Sequence, residues 1–112
     1  MGVLLFVVSY TNLFAEMIDI PGGSFRPFDI KKGDKPVQIK RFMIDKAPVS
    51  VADYTLFLEK NPEWNKQNVS LIKADKGYLS HIALSLSKTN VAVTQVSWFA
   101  ARAYCKVQNK RL

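Results

Sequence analysis

The chain has 112 residues, 48% of them hydrophobic, with seven Phe, four Tyr and two Trp, enough for one small domain with a modest core and too apolar for a disordered segment. Sixteen Lys and Arg against nine Asp and Glu give a net charge of +7. The basic residues read as separate groups (Lys31, Lys32 and Lys35; Lys40 and Arg41; Lys106, Lys110 and Arg111), several beside Asp, and not as the stripe with a reading helix that nucleic acid requires. We therefore expect a solvated basic surface and no nucleic-acid partner. A single cysteine, Cys105, excludes a disulfide within the chain.

Residues 1–15, MGVLLFVVSYTNLFA, are continuously apolar from Val3 to Val8 and place Ala15 before Glu16. The pattern is that of a secretory signal peptide, although no Lys or Arg precedes the apolar run and Leu13 stands where a small residue is usual. We expect cleavage near residue 15 and a periplasmic or secreted product, with a cytoplasmic one as the alternative. The segment is too short to span a bilayer, so no stable membrane insertion is expected. Residues 16–112 then form the domain.

Met17 to Ile20 has strand character, and Pro21, Gly22 and Gly23 are expected to turn the chain. Phe28 to Pro36 reads as a polar, basic loop. In Val37 to Ile44, Val37 and Ile39 share one strand face and Phe42 and Ile44 the other, which predicts a bend or bulge near Lys40 and Arg41. Ser50 is placed to cap a helix, with Asp53 at capping-box spacing. Val51, Tyr54, Phe57 and Leu58 recur at helical spacing and should face the core, and Pro62 stops the helix, giving a span of about 51–60.

Residues 61–92 carry no clear period. Trp64 is expected to anchor this stretch by packing, with Leu71 and Ile72 in the same role. Its length favours short irregular elements over one open loop. Ser97 should cap a second helix, Trp98 to Gln108, with a core stripe of Ala100, Ala103, Tyr104 and Val107, and with Trp98 and Phe99 also in the core. Two helices with short strands and long connections make an α+β domain.

Three segments together resemble the formylglycine-generating, or sulfatase-modifying factor, family. MIDIPGGSF (residues 17–25) is similar to the opening of its domains. FMIDKAPVSVADYTLFLE (residues 42–59) is similar to the block in which Asp-Lys/Arg-x-Pro-Val-Thr precedes a helix. VAVTQVSWFAARAYCKVQNKRL (residues 91–112) is similar to the block built on Val-Ser-Trp-x-x-Ala-x-x-Tyr-Cys. The resemblance implies an irregular lectin-like α+β fold, incomplete here on its C-terminal side. It also implies a parent activity of oxidising a protein cysteine with copper and oxygen, or a related iron-dependent oxidation like that of ergothioneine-type synthases; other relatives resemble periplasmic pyoverdine-maturation proteins. The chain departs from the pattern at Arg26-Pro27, at Val107 where Trp is usual and at Asn109 where Gly is usual.

The redox cysteines and structural calcium sites of the family belong to a later part of its domain and have no counterpart in these residues. The expectation is thus a truncated family member, inactive alone, with no catalytic, cofactor-binding or metal-binding residue of its own, copper, iron and calcium being properties of a full-length relative. Its partners would be a protein substrate or a complementary half of the domain. The alternative is a small exported binding or assembly module that keeps the scaffold without chemistry. The residues agree: metal binding needs three or four converging ligands, and the chain offers one His, His81, and one Cys. Cys105, between Tyr104 and Lys106 late in a helix, reads as a core residue. Among the acids, Asp53 is explained by capping and Asp45 by the turn before the first helix; Asp29 and Asp34 lie in the basic loop.

Overall fold

A computed structural model describes residues 16–80, 82 and 90–112. The expected signal segment, residues 1–15, and His81 lie outside the described residues. The element order is β1 (Met17–Ile20), β2 (Gly23–Phe25), β3 (Val37–Ile39), β4 (Phe42–Asp45), α1 (Val51–Lys60), a 3₁₀ turn (Pro62–Trp64) and α2 (Trp98–Val107). Among the described residues, two small antiparallel sheets and two helices make an α+β domain. It divides into two compact units, residues 1–47 and 48–112.

The described part of the first unit, from Glu16 onward, is one long hairpin in two sections. β1 pairs with β4 and β2 with β3, and both ladders keep one register: Ile20 opposes Phe42 and Gly23 opposes Ile39. Pro21 and Gly22 therefore stand opposite Arg41 and Lys40, unpaired but with no residue inserted. The expected break at Lys40 and Arg41 is present, as an interruption and not a bulge. Pro21 explains it, since proline has no N–H to give to a ladder. The expectation that Pro21 to Gly23 turns the chain is corrected: this segment carries the strand onward, and Gly23 already belongs to β2. A Cβ on Gly22 would lie 2.8 Å from the Ile39 carbonyl oxygen and 2.9 Å from the Arg41 nitrogen, so only glycine fits the crossing without backbone movement. The Asp19 carboxylate grips Arg41 through both oxygens, at 2.7 Å from Nε and 2.6 Å from Nη2, and Lys46 reaches Glu16 at 3.2 Å at the hairpin's base.

The second unit holds the buried core: Tyr54, Phe57 and Leu58 from α1, Ala74, Tyr78 and Leu79 from the connecting turns, and Ala100 and Tyr104 from α2. α1 forms as its sequence requires. The Ser50 hydroxyl accepts from the Asp53 N–H at 3.1 Å, which satisfies one of the free donors of the first turn. Val51, Tyr54, Phe57 and Leu58 are all buried. The α1 entry is held further by the Val51 N–H to the Val91 carbonyl and the Val93 N–H to the Val49 carbonyl, both at 2.9 Å.

After α1, residues 61–80 run through the 3₁₀ turn and a series of short turns. Trp64 packs on the core as expected. Leu71 and Ile72 do not: they are 73% and 88% exposed. The Ser70 hydroxyl accepts from the Ile72 N–H, and the Lys73 and Ala74 N–H groups return to the Ser70 carbonyl. This tight turn puts Ala74 inside and the two larger side chains outside.

α2 is capped by Ser97, whose hydroxyl accepts from the Ala100 N–H at 3.1 Å. Its inward face is Ala100 and Tyr104, with Ala103 and Cys105 partly buried against the core. Three other expectations fail here. Val107, Trp98 and Phe99 are exposed, at 56%, 58% and 46%. The covered stripe of α2 is narrow, Ala100 and Tyr104 with Ala103 beside them, and the large residues flanking it remain outside. The helix ends with the Asn109 N–H on the Lys106 carbonyl and the Lys110 N–H on the Cys105 carbonyl, while Asn109 takes φ 56°. This is a complete Schellman ending, in which Asn fills the left-handed position usually given to glycine.

Candidate functional site

Three features of the second unit deserve comparison as places where chemistry or binding could occur: a buried chain of hydroxyls, a small polar cavity and a basic groove.

The hydroxyl chain lies in the core. Tyr78 donates to the Trp64 carbonyl at 2.9 Å, which leaves its oxygen to accept from Tyr54 at 2.8 Å. Around it Tyr54 stacks with Tyr104 at 5.8 Å between centroids, and Phe57 meets Tyr104 edge-on at 5.4 Å. Burial, then the bond it gives to Tyr78, pushes the Tyr54 phenol far above its ordinary range. Burial also raises Tyr78, opposed by the bond it receives from Tyr54. Two phenols held this firmly neutral are poor proton acceptors, and their bonds are spent on each other and on the backbone.

The cavity, about 180 Å³, is lined by Asp75, Gly77, Tyr78, Gln95, Val96 and Ser97. Its polar groups are engaged. Asp75 accepts from the Gly77 N–H at 2.8 Å, Ser97 caps α2, and Ser80 bonds to the Gln95 side chain. Leu79 and Gln95 both have φ 55°, and the Leu79 N–H donates to the Gln95 carbonyl at 2.8 Å. Two left-handed turns are thereby tied together, which draws Tyr78 and Leu79 into the core.

The groove, about 550 Å³, is lined by Trp98, Arg102, Lys106, Lys110, Arg111 and Leu112. The Arg102 guanidinium lies over the Trp98 ring, 5.3 Å from its centroid, and Phe99 meets Trp98 edge-on at 5.2 Å. Trp98, Arg102 and Lys106 follow at one-turn intervals and are all exposed. The sequence does not single out this surface, because the expectation for Trp98 is a place in the core. Two signals were present: the four-residue spacing, and the absence of any Asp or Glu after Asp75.

Cys105 is half-buried on α2. Asp53 is at the start of α1, its N–H bonded to Ser50. Asp34 accepts from the Lys31 N–H at 3.1 Å within its loop, and Asp29 is exposed in the same loop. Asp45 is the last residue of β4, opposite Met17, and not part of a turn. Among the described residues no group of three or more His, Cys, Asp or Glu could hold a metal ion. No helix among them is long and apolar enough to cross a membrane.

Ser50 and Ser97 as caps, α1 with its buried Tyr54 and Phe57-Leu58, and α2 with its Ala-x-x-x-Tyr inner face stand in the order found in one family. The sequence model for the sulfatase-modifying factor enzyme 1-like domain matches residues 7–112. The chain belongs to the sulfatase-modifying factor family. The sulfatase-modifying factor region is also similar to an uncharacterized protein of Borreliella burgdorferi (strain ATCC 35210 / DSM 4680 / CIP 102532 / B31). The two are 35% identical over 80 residues, which cover 66% of this chain and 16% of that protein. The matched stretch thus corresponds to a small part of that protein's length. No solved structure matches it.

Proposed function

We propose that these residues are the scaffold-building front part of an oxidative sulfatase-modifying factor domain with the family's irregular lectin-like fold. The parent reaction is oxidation of a protein cysteine or a related metal-dependent oxidation, and this stretch does not carry it alone. One observation supports the reading above others: the residues that carry the family pattern are used for folding. Ser50 and Ser97 accept cap bonds, Tyr54, Phe57, Ala100 and Tyr104 fill the core, and Gly22 lies against the opposite strand's backbone. Copper or iron, and structural calcium, would be held by residues outside this stretch. Export belongs to the same reading, supported by the apolar opening Val3 to Val8 and by Ala15 before Glu16.

The test uses the product of the native gene isolated from its own cells, beside the 112-residue chain. Each is given copper or iron, oxygen and a cysteine-containing peptide, and conversion of the thiol to an aldehyde is followed by mass spectrometry. The intact mass and N-terminal sequence of the native product are read in the same preparation. Metal-dependent conversion by a longer native product, with none by the 112-residue chain, is the expected result. Turnover by the 112-residue chain alone would overturn the assignment, and an intact N-terminus at Met1 would remove export.

A further inference from the structure

The far end of the hairpin, residues 26–36 between β2 and β3, is built from two consecutive β-turns. The Ile30 N–H returns to the Pro27 carbonyl at 3.3 Å, and the Asp34 N–H to the Lys31 carbonyl at 3.1 Å. Gly33 takes φ 100° at the third position of the second turn, a place glycine fills without strain. Phe28 and Lys32 hold the second positions of the two turns. Phe28 is fully exposed there, and Phe25 and Val37, opposite each other just behind the tip, are exposed as well. The same segment carries Arg26, Lys31, Lys32 and Lys35 against Asp29 and Asp34. We propose that this tip docks on an anionic phospholipid surface, with Phe28 in the boundary between headgroups and acyl chains and the four cations on the lipid phosphates.

The charge is available for that contact. Among the described residues the ion pairs of the hairpin join Asp19 to Arg41 and Glu16 to Lys46, and neither uses a cation of the tip. One of the two tip acids is already engaged, since the Asp34 carboxylate accepts from the Lys31 N–H at 3.1 Å. The backbone is also prepared to lose water. The N–H groups of Ile30, Lys31 and Asp34 are bonded within the tip, and Pro27 and Pro36 have none, which lowers the cost of drying the turns. An irregular backbone cannot enter the hydrocarbon itself, so the contact stays at the interface. There, apolar burial and the attraction of cations to anionic headgroups act together. This inference rests on the hairpin alone and does not depend on the oxidative reading above.

A folded protein partner fits less well. Protein interfaces gather apolar residues at a centre depleted of Lys, whereas three of the residues 26–36 are Lys, and Pro27 and Ile30 beside Phe28 are half-buried. A fluid lipid surface needs no matching shape: it closes round one aromatic ring and offers a phosphate to each cation. A second copy of the chain brings a further net charge of +7 and is disfavoured for that reason.

The test uses the product of the native gene and its variants, isolated from its own cells. Co-sedimentation is measured with mixed phosphatidylserine–phosphatidylcholine vesicles, with phosphatidylcholine vesicles alone, and, as binding in solution, with oligothymidylate. Phe28→Ser, and Lys31→Glu with Lys32→Glu, change the tip. Leu71→Ser, and Lys66→Glu with Lys76→Glu, make the same kinds of change at exposed positions of the second unit. Each tip variant should weaken binding to the mixed vesicles by about fivefold or more, and each control by less than about twofold. Asp29→Asn, which removes the tip acid without a partner, should strengthen it by about twofold. Phe28→Trp should be quenched by brominated acyl chains beyond the level set by the parent's own Trp residues. If circular dichroism shows a tip variant unfolded, Phe28→Ala or Lys31→Gln with Lys32→Gln replaces it. Equal weakening by the control variants, equal binding of the parent to phosphatidylcholine alone, oligothymidylate binding with the same dependence on the tip, no added quenching of Phe28→Trp, or no vesicle binding overturns the proposal.

Discussion

Tyr54 gives its hydroxyl proton to Tyr78, 2.8 Å away, and Tyr78 gives its own to the Trp64 carbonyl at 2.9 Å. This relay ties α1 to two separate points of the irregular stretch that follows it. The two tyrosines are not equivalent within it. Tyr78→Phe removes both bonds and strands a buried hydroxyl and a part-buried carbonyl, and should cost about 2–3 kcal/mol. Tyr54→Phe removes one bond and leaves Tyr78 still donating, and should cost about 1 kcal/mol. Urea unfolding of the two variants and the double variant measures both costs, and a larger loss for Tyr54→Phe would overturn the assignment of both bonds to Tyr78.

The same pair predicts an alkaline limit. Both phenols are raised above the ordinary tyrosine value in the folded chain, chiefly by burial. Their contribution is complete below the unfolded pKa of about 10 and is lost as pH climbs from there through the folded values, because the unfolded chain ionises first. Unfolding followed by circular dichroism should set in above about pH 10 together with phenolate absorbance. Replacing both tyrosines by Phe should flatten the pH dependence in this range.

Gly22→Ala should damage the hairpin, since the new methyl group would meet the backbone at Ile39 and Arg41. The expected loss is about 1–3 kcal/mol, in the range of other overpacked sites. Gly23→Ala serves as the control, because nothing lies within 4 Å of a Cβ placed there. Amide hydrogen exchange of β1 to β4 separates the two: Gly22→Ala should accelerate exchange across both ladders, and Gly23→Ala should not.

Asn109→Gly should stabilise α2 by a few tenths of a kcal/mol up to about 1 kcal/mol, because φ 56° costs glycine nothing. Asn109→Val should destabilise it by about 1 kcal/mol or more, because a β-branched residue is strained there. Thermal melting of the three chains should therefore rank Gly above Asn above Val. A flat series would mean that the helix end frays and the left-handed residue is not fixed.

Asp19 and Arg41 form a two-point ion pair at the surface, with side chains 43% and 72% exposed. Arg41→Ala should lower hairpin stability slightly, and the difference from the parent chain should shrink as salt is raised. Melting at low and high ionic strength checks this, and a loss independent of salt would assign Arg41 a packing role instead.

The parts of the fold legible in the sequence are those governed by short-range chemistry. Ser50 three residues before Asp53, and Ser97 before an Ala-rich run, announce helix starts because capping is settled within one turn. The inward face of α1 follows from its period, since four large apolar residues leave one way to bury them. α2 is less legible because its contact is made by Ala. Small residues mark only a narrow inward stripe, and the period then says nothing about Trp98, Phe99 or Val107, which are apolar and remain outside. Leu71 and Ile72 misled for a related reason: the Ser70 turn decides which residue enters the core, and it chooses Ala74. The hairpin break was visible in the face switch around Lys40 and Arg41, but its cause sits on the other strand, at Pro21. The basic groove is not legible from charges grouped by nearness in the chain, because it depends on their position around a helix.

The interruption at Pro21 and Gly22 has a consequence for self-association. An uninterrupted hairpin of this length would present long open edges bordered by Ile18, Ile44, Val37 and Ile39, all substantially exposed. Such edges invite another strand to add to them. With a two-residue gap opposite Lys40 and Arg41, each open edge is cut to the three or four residues of one ladder. An incoming strand would have to bridge a proline without an N–H and two cationic side chains to continue. The feature that breaks the pairing thus also limits how far a foreign strand could extend along the hairpin, and so guards the chain against aggregating through its own apolar edges.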